Sequence, residues 1–221
     1  MKQVLFWFAL APSLWSWSPL FHEVQTKLAS RMVPAPMAAM LHGQRDVLLA
    51  AGRGQPSDEP PTVEQIEEQF QRILVLSEAN PSPRQLAREL GTLAHLVQVL
   101  TDPGVTQGVT PLRIHFQAYG DENLGRMMLT RQPAWAVAGD LDPKPRILAW
   151  TREKYDRHAV LLDYFDSERN ARLGVWDELS LPFAQLQLSF SSGVHATANL
   201  WILLWRAVGD RWPVPAPHAA H

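Results

Sequence analysis

Eight histidines and no cysteine define the chemistry open to this chain. Without thiols, disulfides and sulfur ligation are excluded, and any metal must be held by imidazole, carboxylate or backbone groups. Three histidines stand where they could serve: His22 in "WSPLFHEV", His95 in "LGTLAHLVQVL" and His115 in "RIHFQAYG". Taken alone each is weak, because a histidine between Ala94 and Leu96 is more often a hydrogen-bonded core residue than a ligand. His42 and Asp46 are four apart, a spacing that puts two donors on one helical face; exposed pairing is the simpler reading. His158, near Asp156 and Asp163, reads as part of a solvated helix face. His195, in a long apolar run, reads as core, and His218 and His221 fall in the terminal segment. Nucleophilic chemistry has no support: there is no Gly-x-Ser-x-Gly, no glycine-rich phosphate loop, no His-Glu-x-x-His, and no base partner for "SFSSG".

These side chains need a scaffold, and the hydrophobic period supplies one. Residues 34–52, 62–79, 82–102, 145–168 and 181–209 repeat apolar positions at three- and four-residue spacing, which predicts helices. The third opens on Ser82 as a cap with Pro83 in the first turn, and sets Leu86, Leu90, Leu93, Leu96 and Val97 on one stripe. The last could break at Ser191–Gly193. Residues 109–120 are ambiguous between helix and strand. Pro- and Gly-rich connections separate the segments. Trp201 and Trp205, four apart, fill the core most simply, although a stacking platform for bases or headgroups is the sharper alternative. The fold class expected is all-α, a single bundle-like multi-helix domain over residues 17–211.

With 221 residues, 46 % of them apolar and 19 % charged, the chain can bury one sizeable core. Its formal net charge of −2 offers no basic field for sequence-independent nucleic-acid binding. Residues 1–16 read as a signal peptide: Lys2, then an apolar run too short to span a bilayer, then the small residue Ser16 before Trp17. Cleavage there would make the mature protein extracytoplasmic, secreted or periplasmic, with no membrane anchor. Residues 212–221 read as an extended or disordered tail.

The order of these features resembles the secreted zinc-dependent phospholipase C and single-strand nuclease superfamily. Trp17 would be the mature N-terminus, its amine and carbonyl oxygen binding metal, with His22 following at nuclease-like spacing. The loop after the first helical segment supplies Asp58 as metal ligand and catalytic carboxylate, with Asp46 as second choice. "LGTLAH" gives His95, "HFQAYGDENLG" gives His115, and "HATANLWILLW" looks like the closing helix. The resemblance implies an all-α fold of that type, metal-dependent hydrolysis of a phosphoester such as a phospholipid or nucleic acid, and a zinc centre on Trp17, His22, Asp58, His95 and His115.

Departures from the pattern are as specific as the matches. Val99 stands where the metal-bridging carboxylate is expected and Val105 where a histidine is expected. Tyr119 replaces the carboxylate four residues after His115, and "EQFQRI" offers Gln69 and Gln71 in place of a histidine. Valine cannot ligate, and losing a bridging carboxylate leaves adjacent cations to repel one another at short range. Asp102 does not substitute, since "DPG" starts a turn. What survives implies one zinc ion or none rather than three. The reading is a phosphoesterase relative with a reduced or lost metal site, the pseudoenzyme case included; the alternative is a non-catalytic helical binding or structural module.

Overall fold

The computed structural model describes residues 17–55, 59–106, 110–130, 141–165, 179–209 and 212. These residues are all-helical, with no strand among them. In chain order the helices are α1 (Pro19–Ala29), α2 (Ala35–Gly43), α3 (Arg45–Arg53), α4 (Val63–Glu78), α5 (Pro83–Leu100), α6 (Pro111–Asn123), α7 (Lys144–Phe165) and α8 (Leu181–Val208), with a 3-10 turn at Leu124–Arg126. No described helix is long and apolar enough to cross a membrane. The segment read as a leader, 1–16, and all of the segment read as a tail, 212–221, except Trp212 lie outside the described residues; Trp212 is buried, its ring 5.4 Å from that of Trp205.

Hydroxyl caps start five of the helices. Ser18, Thr62, Ser82, Thr110 and Ser180 each accept a hydrogen bond from a backbone N–H of the first turn. Thr62–Gln65 and Ser82–Gln85 form complete capping boxes. Thr110 and Pro111 settle the ambiguous stretch as helix α6.

Helix α5 is the hub, packed on α3 most extensively and also on α4, α8 and α1. Leu86, Leu90, Leu93 and Val97 are buried as the stripe requires, while Leu96 is only partly buried. Gly91 sets the α3–α5 spacing: a Cβ there would stand 2.5 Å from the Leu48 carbonyl oxygen and 2.7 Å from Ala51 Cβ. Helix α8 docks on the same hub, where Trp201 Nε1 donates to Leu90 O at 3.2 Å.

Three sequence expectations change. Residues 34–52 form two helices, not one, because Gln44 leaves helical geometry at φ −118°, ψ 25°. His42 and Asp46 therefore sit on different helices, both exposed. Helix α8 runs through Ser191–Gly193 without a break: those residues are buried, and Gly193 lies where a Cβ would meet Gln25 Nε2 at 2.3 Å. Close approach to α1, not a loop, explains the small residues. His158 is not on a solvated face; it is half-buried and its Nδ1 is 2.8 Å from Pro103 O, to which it donates.

The α5–α6 connection is held from below by buried charge. Asp102 starts the expected turn, its Oδ1 accepting from Gly104 N at 2.8 Å. Lys154 of α7, 1 % exposed, donates to Val105 O at 3.1 Å, and Arg113 is 2 % exposed. Burial raises the Asp102 carboxyl to about 7 against the opposing pull of the Gly104 N–H, Arg113 and Lys154. Burial also lowers Lys154 to about 8, with Asp102 opposing.

Candidate histidine site and groove

Trp17 precedes the Ser18 cap of α1 and is fully buried. Its ring stacks on Phe21 at 4.2 Å between centroids, lies 5.3 Å from Phe116, and rests over Gly120. The indole anchors the start of α1 like a hydrophobic staple; Nε1 is buried with no hydrogen-bond partner.

One turn into α1, His22 is fully buried against His95 of α5, the ring centroids 4.8 Å apart. His22 Nδ1 lies 2.7 Å from Gln98 Oε1, and Gln98 Nε2 donates to Thr26 Oγ1 at 3.0 Å. Because the Gln98 amide nitrogen is committed to Thr26, its oxygen faces His22 and must accept. The proton therefore sits on His22 Nδ1, and Nε2 keeps its lone pair. This is the second-partner arrangement that orients a ligating imidazole. Gln98, three residues after His95, was not singled out in the sequence. A buried glutamine on the His95 helix was the available signal.

His95 is held from the other side. Gly54, at φ +63°, lies so close that a Cβ would be 2.2 Å from the ring, so only glycine satisfies both the backbone and the contact. The Gly52 and Gln55 backbone hydrogen-bonds to the ring, while His95 Nδ1 is buried without a partner. Burial, then the neighbouring His95 charge, lowers His22 to about 3, with the Gln98 hydrogen bond opposing. Burial lowers His95 to about 4. Both imidazoles are neutral at pH 7, the form that ligates metal.

His95, unlike His22, borders open space. A groove of about 750 Å³ lies between α3 and α5, lined by Val47, Ala50 and Ala51 of α3 and by His95 of α5. Arg84, Arg88 and Thr92, with His95, supply the α5 wall, and Asp46 lies on the α3 side. Arg84 and Arg88 are exposed, and neither enters an ion pair among the described residues. Their spacing with Thr92 and His95 traces one helical face, which becomes a wall only because α3 lies beside it. A smaller hollow on the other side of His95 is lined by Glu59, Thr62, Gln65 and Val99.

Of the five residues implied as ligands, the fold brings His22 and His95 together. Asp58 lies outside the described residues; its neighbour Glu59 lines the hollow beside His95. Trp17 could offer an amine only after cleavage, at a position also outside them. His115 is half-buried on α6, which packs chiefly on α7. No group of three His, Asp or Glu side chains suited to a metal occurs among the described residues.

The replaced positions do structural work. Val99 and Val105 are buried, Tyr119 packs on Phe165, and Gln69 Nε2 bonds Glu89 at its carbonyl and carboxylate oxygens. A three-ion cluster does not fit these residues. His95 Nδ1, buried without a hydrogen-bond partner beside the His22 ring, is the donor atom that a single ion would take first. Comparison with known proteins finds no matching family, no matching curated relative and no matching solved structure.

Proposed function

We propose that the chain is an extracytoplasmic, helical phosphoester-binding protein of the phospholipase C and nuclease type, its metal site reduced to one ion on the histidine pair. The observation that supports this reading is the position of His95, which packs on His22 and lines the groove together with Arg84 and Arg88. A zinc ion bound there would supply positive charge for a phosphate oxygen. The protein's own residues do the rest. Arg84 and Arg88 present forked donors to a phosphate and, being unpaired among the described residues, have no ion-pair partner there to release first. Val47, Ala50 and Ala51 offer apolar surface to the body of the ligand. Val99 and Val105 remove the carboxylate and imidazole that turnover by a metal cluster requires. Binding is the retained property and hydrolysis the diminished one.

Calorimetric titration with phosphocholine and with a short dinucleotide tests this. The expected result is saturable binding weakened roughly tenfold or more in Arg84→Ala/Arg88→Ala, with folding unchanged because both side chains are exposed. An activated phosphodiester should show no turnover above background with zinc present. Zinc-dependent turnover that disappears in His95→Ala would replace this reading with an active hydrolase. Equal binding by the arginine variant would remove the groove from it.

A further inference from the structure

Helix α7 carries exposed apolar residues every seventh position: Leu148 at 48 %, Tyr155 at 50 % and Leu162 at 40 %, continued just before the helix by Leu141 at 39 %. The helix's buried residues, Ile147, Trp150, Lys154, Leu161 and Phe165, lie on the adjoining face, about 100° round the helix. A seven-residue apolar repeat keeps one side chain per two turns on a single strip, along which a second helix can pack lengthwise. The core covers the adjoining face and leaves Leu148, Tyr155 and Leu162 between 40 % and 50 % exposed among the described residues.

The charges beside the stripe identify the occupant. On the same side as Leu148, Tyr155 and Leu162, the first half of α7 carries Lys144 and Arg152 and the second half carries Asp156 and Asp163. A parallel copy would set like charges together. An antiparallel copy about a two-fold axis near Tyr155 sets Lys144 near Asp163, Arg152 near Asp156 and Leu148 against Leu162, while Tyr155 meets its own mate. Such self-complementarity is what an isologous interface requires. Lys144 already bonds Glu67 at 3.1 Å and would share its charge between the two carboxylates.

We propose that α7 is a self-association surface on which a second copy of this chain docks antiparallel, through Leu148, Tyr155 and Leu162. This assignment does not depend on the ligand reading. One helix pair buries roughly 800 Å², below the ~1,200 Å² of stable complexes, so the dimer is weak and populated at roughly 10–100 µM. Ala159, small and exposed beside Tyr155, allows the two helices to approach.

Sedimentation velocity of the full chain across that range tests the proposal. The expected result is a concentration-dependent shift from monomer to dimer, lost by at least ~10-fold in affinity in Leu148→Glu and in Leu162→Glu. Both side chains are exposed, so the variants keep the wild-type helical circular dichroism. Arg152→Asp alone weakens association roughly 3–10-fold by facing Asp156 of the other copy, and adding Asp156→Arg restores it. A chain that stays monomeric to several times ~100 µM overturns the proposal. So does a dimer indifferent to Leu148→Glu and Leu162→Glu, or a stripe found by amide exchange to be covered by this chain's own residues 166–178.

Discussion

Gly91→Val is expected to cost about 3 kcal/mol or more of folding stability, read as a lowered urea midpoint with reduced helical signal at 37 °C. The reason is where the new atoms go. A Cβ at position 91 stands 2.5 Å from the Leu48 carbonyl oxygen, 2.7 Å from Ala51 Cβ and 3.1 Å from Gly52 N. Two of these are backbone atoms of α3, so relief requires moving the helix rather than turning a rotamer. The contact lies in the most extensive helix pair of the fold, and that pair also forms the groove. Valine would therefore separate Arg84, Arg88 and His95 from the α3 wall as it destabilises the chain. The control is Gly43→Ala. Nothing lies within 4 Å of a Cβ at position 43, at the end of α2. That change is expected to be neutral or to add up to about 0.5–1 kcal/mol through the lost freedom of the unfolded chain. Equal losses in the two variants would show that α3 and α5 do not meet as described.

Acid is expected to unfold the protein through His22 and His95. Both have lower pKa values folded than unfolded, about 3 and about 4 against 6.5. Folding therefore releases their protons. The stability this contributes is complete above about pH 6.5 and is lost as the pH falls towards 4 and then 3. For fully buried His22, 6.5 minus about 3 is about 3.5 units, up to about 5 kcal/mol at about 1.4 kcal/mol per unit. The pair repels when charged, so the two contributions do not add. Asp102 acts in the opposite sense. Its carboxyl is raised from 3.8 to about 7, so the stability linked to it is complete below about pH 4 and lost as pH rises through 7. Two histidines outweigh one carboxyl below pH 6. Urea midpoints measured from pH 7.5 to pH 4 should fall for the wild type, flatten in His22→Gln and steepen in Asp102→Asn. An unchanged slope in His22→Gln would place the acid sensitivity elsewhere.

Much of the scaffold was legible because its signals are local. Ser82, Pro83 and the leucines of α5 announce a capped helix with one apolar face, and Thr62 does the same for α4. The errors arose where tertiary contact overrides the local signal. Ser191–Gly193 look like a helix break, yet they are small because α8 passes close to Gln25 and Thr101. Residues 34–52 keep helical periodicity across Gln44, so the bend does not register in the apolar pattern. His158 is bracketed by Asp156, Arg157 and Asp163, and only the fold reveals that Pro103 O waits opposite. At the site, the resemblance led to His22 and His95, and the fold sets them side by side. It could not reveal Gln98 and Thr26, which fix the His22 tautomer across 76 and 4 residues of chain respectively. Nor could it reveal the Arg84–Arg88 wall, because exposed arginines acquire meaning only once α3 lies beside them.

A metal count tests the proposed one-ion centre on His22 and His95 most directly. The protein, stripped with chelator, equilibrated with excess zinc and passed through a desalting column, would be assayed by plasma mass spectrometry. The account predicts one equivalent in the wild type, and loss of that equivalent in both His22→Ala and His95→Ala, with circular dichroism confirming that each variant is folded. Three equivalents, or one that survives both substitutions, would contradict it.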